Sequence, residues 1–128
     1  MRWLVDGMNV IGSRPNRWWE DRPRAMRELI ADLEGFVNAT GDEVTVVFDG
    51  RPLDPPPEAG AVEVAFARRR GPNAADDEIA RRVAADPSAA SLRVATSDAE
   101  LARRVREAGA EVEGAGAFRR RLDEAARS

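Results

Sequence analysis

Short apolar runs, most of them ending in a polar turn, alternate along the chain with segments whose apolar residues recur every three or four positions. Met1-Arg2-Trp3-Leu4-Val5 is the first run and leads directly into Asp6-Gly7-Met8-Asn9. An apolar run without alternation suits a strand buried on both faces, as in the middle of a parallel sheet. Val44-Thr45-Val46-Val47-Phe48 is a second such run, and it too ends in an Asp-Gly pair, Asp49-Gly50. Val62, Val64 and Phe66 alternate with Glu63 and Ala65, which predicts a strand with one wetter face near a sheet edge. Leu92 to Thr96 reads as a further buried strand, followed by Ser97-Asp98-Ala99-Glu100, and Ala110 to Val112 can form a short last one.

Helical spacing fills the intervals. Met26, Leu29, Ile30, Leu33 and Val37 make one apolar face of a helix that Asp21 can cap, with Pro23 in its first turn and Gly41 at its end. Asn73 predicts a cap for a helix over Ala74 to Ala85, with Ile79 and Val83 facing the core. A helix from Asp98 to Ala108 ends at Gly109; Ser97 and Glu100 fit the capping box S-x-x-E and leave Asp98 at the first helical position. Phe118 to Ala126 predicts a basic C-terminal helix. Val10 to Ser13 leads into a loop in which Trp18 and Trp19 stand among arginines, placed either to stack on bases or to pack beneath the loop. Strands alternating with helices predict an α/β fold, a three-layer α/β/α sandwich around a central, mostly parallel sheet.

Composition narrows the chemistry. With 128 residues, 43% of them hydrophobic and 34% charged, residues 1–128 are expected to form one globular domain. No apolar stretch approaches the roughly 20 residues of a membrane helix, so a cytoplasmic protein with no membrane partner is expected. Cysteine, histidine, lysine and tyrosine are all absent. Imidazole bases, Schiff-base lysines, zinc–thiolate sites and a P-loop lysine are thereby excluded. Catalysis would have to rest on carboxylates, amides, hydroxyls, arginine or a bound metal. The net charge is −3, yet Arg14 to Arg27 holds five Arg against Glu20 and Asp21, and Arg68-Arg69-Arg70 is uninterrupted. Basic segments beside an acidic site can still guide a polyanion, because the local field governs contact.

The candidate chemistry lies where the strands end. In open α/β sheets, ligands bind beyond the carboxyl ends of the strands. Asp6, Asp49 and Asp98 each follow a buried strand, and the helix carrying Asp76 and Asp77 opens on the same edge. Each has a purely structural explanation too, since Asp-Gly is a common turn pair and acids are favoured in a first helical turn. Asp6, Asp49, Asp98 and at least one of Asp76 and Asp77 can nevertheless converge. Carboxylates brought together repel one another, and a hard divalent cation is the natural compensation. Carboxylates, an amide such as Asn9 and water are the ligand set of Mg²⁺ or Mn²⁺.

Asp6-Gly7-Met8-Asn9-Val10-Ile11, Val46-Val47-Phe48-Asp49, Ala75-Asp76-Asp77-Glu78-Ile79 and Thr96-Ser97-Asp98-Ala99-Glu100-Leu101 occur in this order. Together they resemble the NYN family of PIN-like ribonucleases, in particular its YacP-like branch. The resemblance spans nearly the whole chain; Met8 departs from it, standing where the family often has an aromatic or polar residue. It implies a PIN-like fold and metal-dependent endonucleolytic cleavage of RNA. On that pattern Asp6, Asp76 or Asp77, and Asp98 bind the metal, Asn9 helps to position metal or water, and Asp49 is a further candidate ligand. Arg14, Arg17, Arg68, Arg69 and Arg70 would guide the strand. The expected partner is RNA, ribosome-associated mRNA included, with DNA not distinguished by phosphate contacts alone. A non-catalytic RNA-binding or ribosome-associated module of the same fold is the alternative. An aspartyl-phosphate enzyme is disfavoured, because it normally needs a lysine at the phosphate.

Overall fold

The computed structural model describes residues 1–67, 71 and 73–127. Strand β1 (Arg2–Asp6) lies at the centre of a five-stranded sheet, with β2 (Glu43–Phe48) on one side and β4 (Leu92–Ala95) on the other. The edges are β3 (Glu63–Phe66) and β5 (Glu111–Glu113), the order is β3-β2-β1-β4-β5, and all four pairings are parallel. Parallel neighbours need crossover connections, and these put helices on both faces. The three-layer α/β/α arrangement follows.

Alternation along each strand sorts the core into two halves. Trp3, Val5, Val44, Val46 and Phe48 pack with Met26, Leu29, Leu33 and Phe36 of α2 (Arg22–Thr40) and with Phe118 and Leu122 of α5 (Ala115–Arg127). Leu4, Val47, Leu92 and Val94 pack with Ile79 and Val83 of α3 (Ala74–Ala85) and with Leu101 and Val105 of α4 (Ala99–Glu107). By the same alternation Asp6, two residues beyond Leu4, belongs to the side covered by α3 and α4. Trp3 anchors the opposite half. Its ring lies 4.8 Å from that of Phe118 and 6.2 Å from that of Phe36, and its indole N–H donates to Asp42 Oδ2 at 3.1 Å.

Most element ends obey local chemistry. Asp21 accepts from the Arg24 N–H at 3.2 Å to start α2, and Gly41, at φ 75°, stops it in the left-handed region. Along α2 the deep position falls to Phe36, while Ile30 and Val37 stand half-buried at its margin. The stretch expected to leave β1 as a loop is instead a short helix, α1 (Gly7–Gly12), which buries Val10 and Ile11. Six residues bounded by two glycines carry no periodic face to betray a helix. Gly7 serves close packing rather than a turn: a Cβ at this position would stand 2.5 Å from two ring carbons of Phe48. Among the described residues no helix is long and apolar enough to cross a membrane.

Because Phe48 is fully buried, its ring has nowhere to retreat. Gly7→Ala should therefore lower the unfolding free energy by about 1–3 kcal/mol, measured by urea denaturation. A midpoint equal to that of the parent would show that the ring moves freely.

Candidate active site

The strand order places β1 between β2, reached by one crossover, and β4, reached from the other direction, so the topological switch point falls between β1 and β4. Asp6 ends β1 there, and Thr96-Ser97-Asp98 leaves β4 beside it.

Asp6 occupies the N-cap position of α1 with extended backbone angles, yet its side chain makes no capping hydrogen bond. Asp6 is 5% exposed, and its carboxylate accepts from the Thr96 hydroxyl at 2.9 Å. Burial pushes its pKa up to about 7, against the lowering effect of the Thr96 hydrogen bond, and the charges of Asp76, Asp98 and Asp49 push it further. Asp76, in the first turn of α3, also has a raised pKa: burial comes first, then the charge of Asp98, while Arg104 opposes both. No described residue donates a hydrogen bond to it. Three elements that are distant in sequence thus hold mutually repelling carboxylates at one sheet edge.

The loop after β4 is fixed by side chains. The Thr96 hydroxyl, which donates to Asp6, also accepts from the Asp98 N–H at 3.1 Å. Asp98 is the N-cap of α4, its Oδ1 accepting from the Leu101 N–H at 2.9 Å, so the capping box expected from Ser97 and Glu100 is displaced by one residue. Glu100 pairs instead with Arg103. Ser97 has another role: its N–H donates to Asn9 Oδ1 at 2.7 Å and its hydroxyl accepts from the Ala115 N–H at 2.8 Å, tying α1 and the start of α5 to this loop. The Asn9 carbonyl oxygen is therefore oriented by the backbone with one lone pair left, and its amide N–H groups are also open to a ligand.

The remaining candidates stand apart. Asp77 is half-exposed and pairs with Arg104 Nη1 at 2.9 Å. Asp49 is held by Arg22, which pairs with its carboxylate and donates to its backbone oxygen at 2.8 Å. Arg14 pairs with Asp123 of α5, and Arg17 with Glu20 at 2.6 Å. Arg68, Arg69 and Arg70 lie outside the described residues. Sequence reasoning passed over Thr96, Arg22 and Arg104. Only Thr96 carries a signal, as a hydroxyl that ends a buried strand two residues before an aspartate.

Among the described residues, no group of three or more His, Cys, Asp or Glu side chains is arranged so that it could hold a metal ion. The donor chemistry still suits a hydrated hard cation, since Mg²⁺ keeps several waters and is commonly held by one or two carboxylates.

The raised pKa has a sign that can be checked. Between the unfolded value, about 3.9, and the folded value, about 7, the folded protein holds more protons at Asp6 than the unfolded chain does. The stability this group contributes is complete below about pH 4 and is lost as pH rises through 7. Asp6→Asn should accordingly be more stable than the parent at pH 8 in divalent-free buffer, by on the order of 2 kcal/mol, and the gap should close near pH 4. Urea unfolding at the two pH values reads this directly, and an equal gap at both would contradict it.

Comparison with known proteins agrees with this architecture. A family model described as the YacP-like NYN domain matches residues 3–128. Two crystal structures of Rae1 (YacP) from Bacillus subtilis, one of them a single-residue mutant, superpose with TM-scores of 0.82 and 0.81 at 28% identity. They cover 99% of this chain and 76% and 77% of those chains. No curated protein matches. The fold is nuclease-like, and the chain belongs to the YacP-like NYN domain family.

Proposed function

We propose that this chain, acting as one PIN-like domain over residues 1–128, is a divalent-metal-dependent endoribonuclease that hydrolyses RNA at the acidic edge formed by Asp6, Asp76 and Asp98. The observation that carries the reading is Asp6: a buried aspartate at the switch point that caps nothing and is opposed by other acids. Such an arrangement costs stability, and a cationic ligand at the site offsets that cost.

One or two of Asp6, Asp76 and Asp98 would hold Mg²⁺ or Mn²⁺ directly and the others through its waters. When bound, the ion supplies charge neutralisation at the phosphate and a more acidic water. The chain's own groups do the rest. Thr96 fixes the Asp6 carboxylate and the Asp98 backbone together. Asn9, with its carbonyl on Ser97, presents N–H donors that suit a non-bridging phosphate oxygen. Asp77 and Asp49, each already paired with an arginine, serve as part of the field rather than as ligands. Arg14, Arg17 and Arg68 to Arg70 draw in the polyanion. In the reaction, water attacks phosphorus in line, the P–O3′ bond breaks and the 3′-oxygen takes up a proton. A 5′-phosphate and a 3′-hydroxyl remain.

End-labelled single-stranded RNA, incubated with Mn²⁺, Mg²⁺ or EDTA, tests the proposal. Cleavage should require the cation and fall by about 10²-fold or more in Asp6→Asn, Asp76→Asn and Asp98→Asn, while Asp77→Asn stays near the parent rate. Independently of turnover, Mn²⁺ should raise the melting temperature of the parent at pH 8 and leave that of Asp6→Asn unmoved. Cleavage that persists in EDTA, or in both Asp6→Asn and Asp98→Asn, would sink the assignment. A matched DNA strand establishes whether the 2′-hydroxyl matters.

A further inference from the structure

Trp18 and Trp19 occupy a 3-10 turn, Trp18–Glu20, between α1 and α2, and their side chains part company. Trp18 packs against the α2/α5 half of the core, with its ring over Gly12, where a Cβ would lie 3.9 Å from Cζ2. Trp19 is 60% exposed, and it and Met1 are the exposed large hydrophobic residues among those described. The two rings meet edge to face, with centroids 6.0 Å apart and planes at 84°. Trp18 therefore contacts Trp19 from the core side, while most of the Trp19 ring stands in solvent.

The turn is held stiffly. Arg17 starts it in the left-handed region at φ 59°, the one non-glycine residue with positive φ among those described. That conformation disfavours a branched side chain and persists only where the surroundings impose it. Here two backbone bonds close the turn and impose it, the Glu20 N–H to the Arg17 carbonyl at 3.0 Å and the Asp21 N–H to the Trp18 carbonyl at 3.2 Å. Asp21 then caps α2, and Arg22, the first residue of α2, reaches across to Asp49 at the end of β2. The exposed ring is thus tied to the carboxyl edge of the sheet, where Asp6, Asp76 and Asp98 lie.

The chain around it carries both signs, with Glu20 and Asp21 directly after it and Arg17, Arg22 and Arg24 close by. Arg17 and Arg24 pair with Glu20 and Glu28, but their side chains are 72% and 75% exposed. Exposed pairs are worth little, and a guanidinium has five N–H groups, so both can exchange a carboxylate for a phosphate at small cost. A rigid, open aromatic face among exchangeable arginines is the combination that binds single-stranded nucleic acid, by stacking on the base and contacting the backbone.

We propose that Trp19 is a stacking platform for an unpaired base of the RNA strand that enters the acidic edge. This rests on the ribonuclease reading and adds to it a preference for single-stranded over duplex RNA, since a paired base has no free face to give. The test uses the full chain carrying Asp6→Asn, which keeps the RNA intact, and a fluorescein-labelled single-stranded decamer with its duplex counterpart. Trp19→Ala should weaken single-strand binding about 10-fold and leave duplex binding unchanged. Trp19→Phe should recover most of the affinity but lose the quenching of tryptophan emission that the decamer produces in the parent. The melting temperature should be the same in all three. Single-strand affinity within twofold of the parent in Trp19→Ala overturns the platform and leaves the nuclease standing, with a protein contact as the better explanation of the exposed ring. Equal weakening for single strand and duplex overturns stacking in favour of a backbone contact. Failure of the parent to bind RNA at all, with or without Mg²⁺, overturns both readings.

Discussion

A carboxylate at the end of a central strand can escape the cost of desolvation by capping the helix that follows or by pairing with a cation. Asp6 does neither. Its one described partner is the Thr96 hydroxyl, and burial outweighs that bond so far that its pKa reaches about 7. The surroundings of this group are arranged as consequences. Gly7 is stripped of a side chain so that α1 can start against Phe48, and the Thr96 hydroxyl is shared between Asp6 and the Asp98 backbone. Asn9 uses its oxygen to hold Ser97, which in turn holds α5. Each bond orients a neighbour of the carboxylate without relieving its charge.

The arginines sharpen the contrast by what they neutralise. Arg22 takes Asp49, Arg104 takes Asp77, Arg14 takes Asp123 and Arg119 takes Asp32. Asp6, Asp76 and Asp98 form no ion pair with a described residue, although Arg104 is near enough to lower the pKa of Asp76. Selective pairing concentrates negative potential at the switch point in a chain whose net charge is only −3. A small acidic focus among arginine-bearing surfaces gives the chain local fields of both signs that its modest net charge conceals.

The sheet and most helices were legible because their signals are local. The apolar runs with no alternation mark β1, β2 and β4, and the alternation of Val62, Val64 and Phe66 marks the edge strand β3. For α2, the spacing from Met26 to Val37 agrees with the Asp21 cap and the Gly41 stop. Helix α1 escaped because its identity comes from packing on Phe48, not from any period of its own. The displaced capping box has a similar cause. Ser97 and Asp98 both suit an N-cap, and long-range bonds to Asn9 and Ala115 take Ser97 away from that role. At the site, the aspartates could be gathered from strand ends alone. That Asp77 is paired with Arg104 of another helix, and Asp49 with Arg22, could not be read there, because neither contact follows from spacing within one segment.

The bond between Thr96 and Asp6 closes a loop of 90 residues, and the Ser97 bond to Ala115 extends the requirement to the last helix. During synthesis β1 emerges before α3 and β4, so the Asp6 carboxylate has no Thr96, no Asp98 and no docked α3 until those later elements have been made. Closing loops this long costs entropy before the contact repays it, which slows folding. A nascent chain that stops short of Thr96 therefore carries Asp6 without the neighbours that orient it, so the acidic edge exists only once segments far apart in the sequence have closed around it.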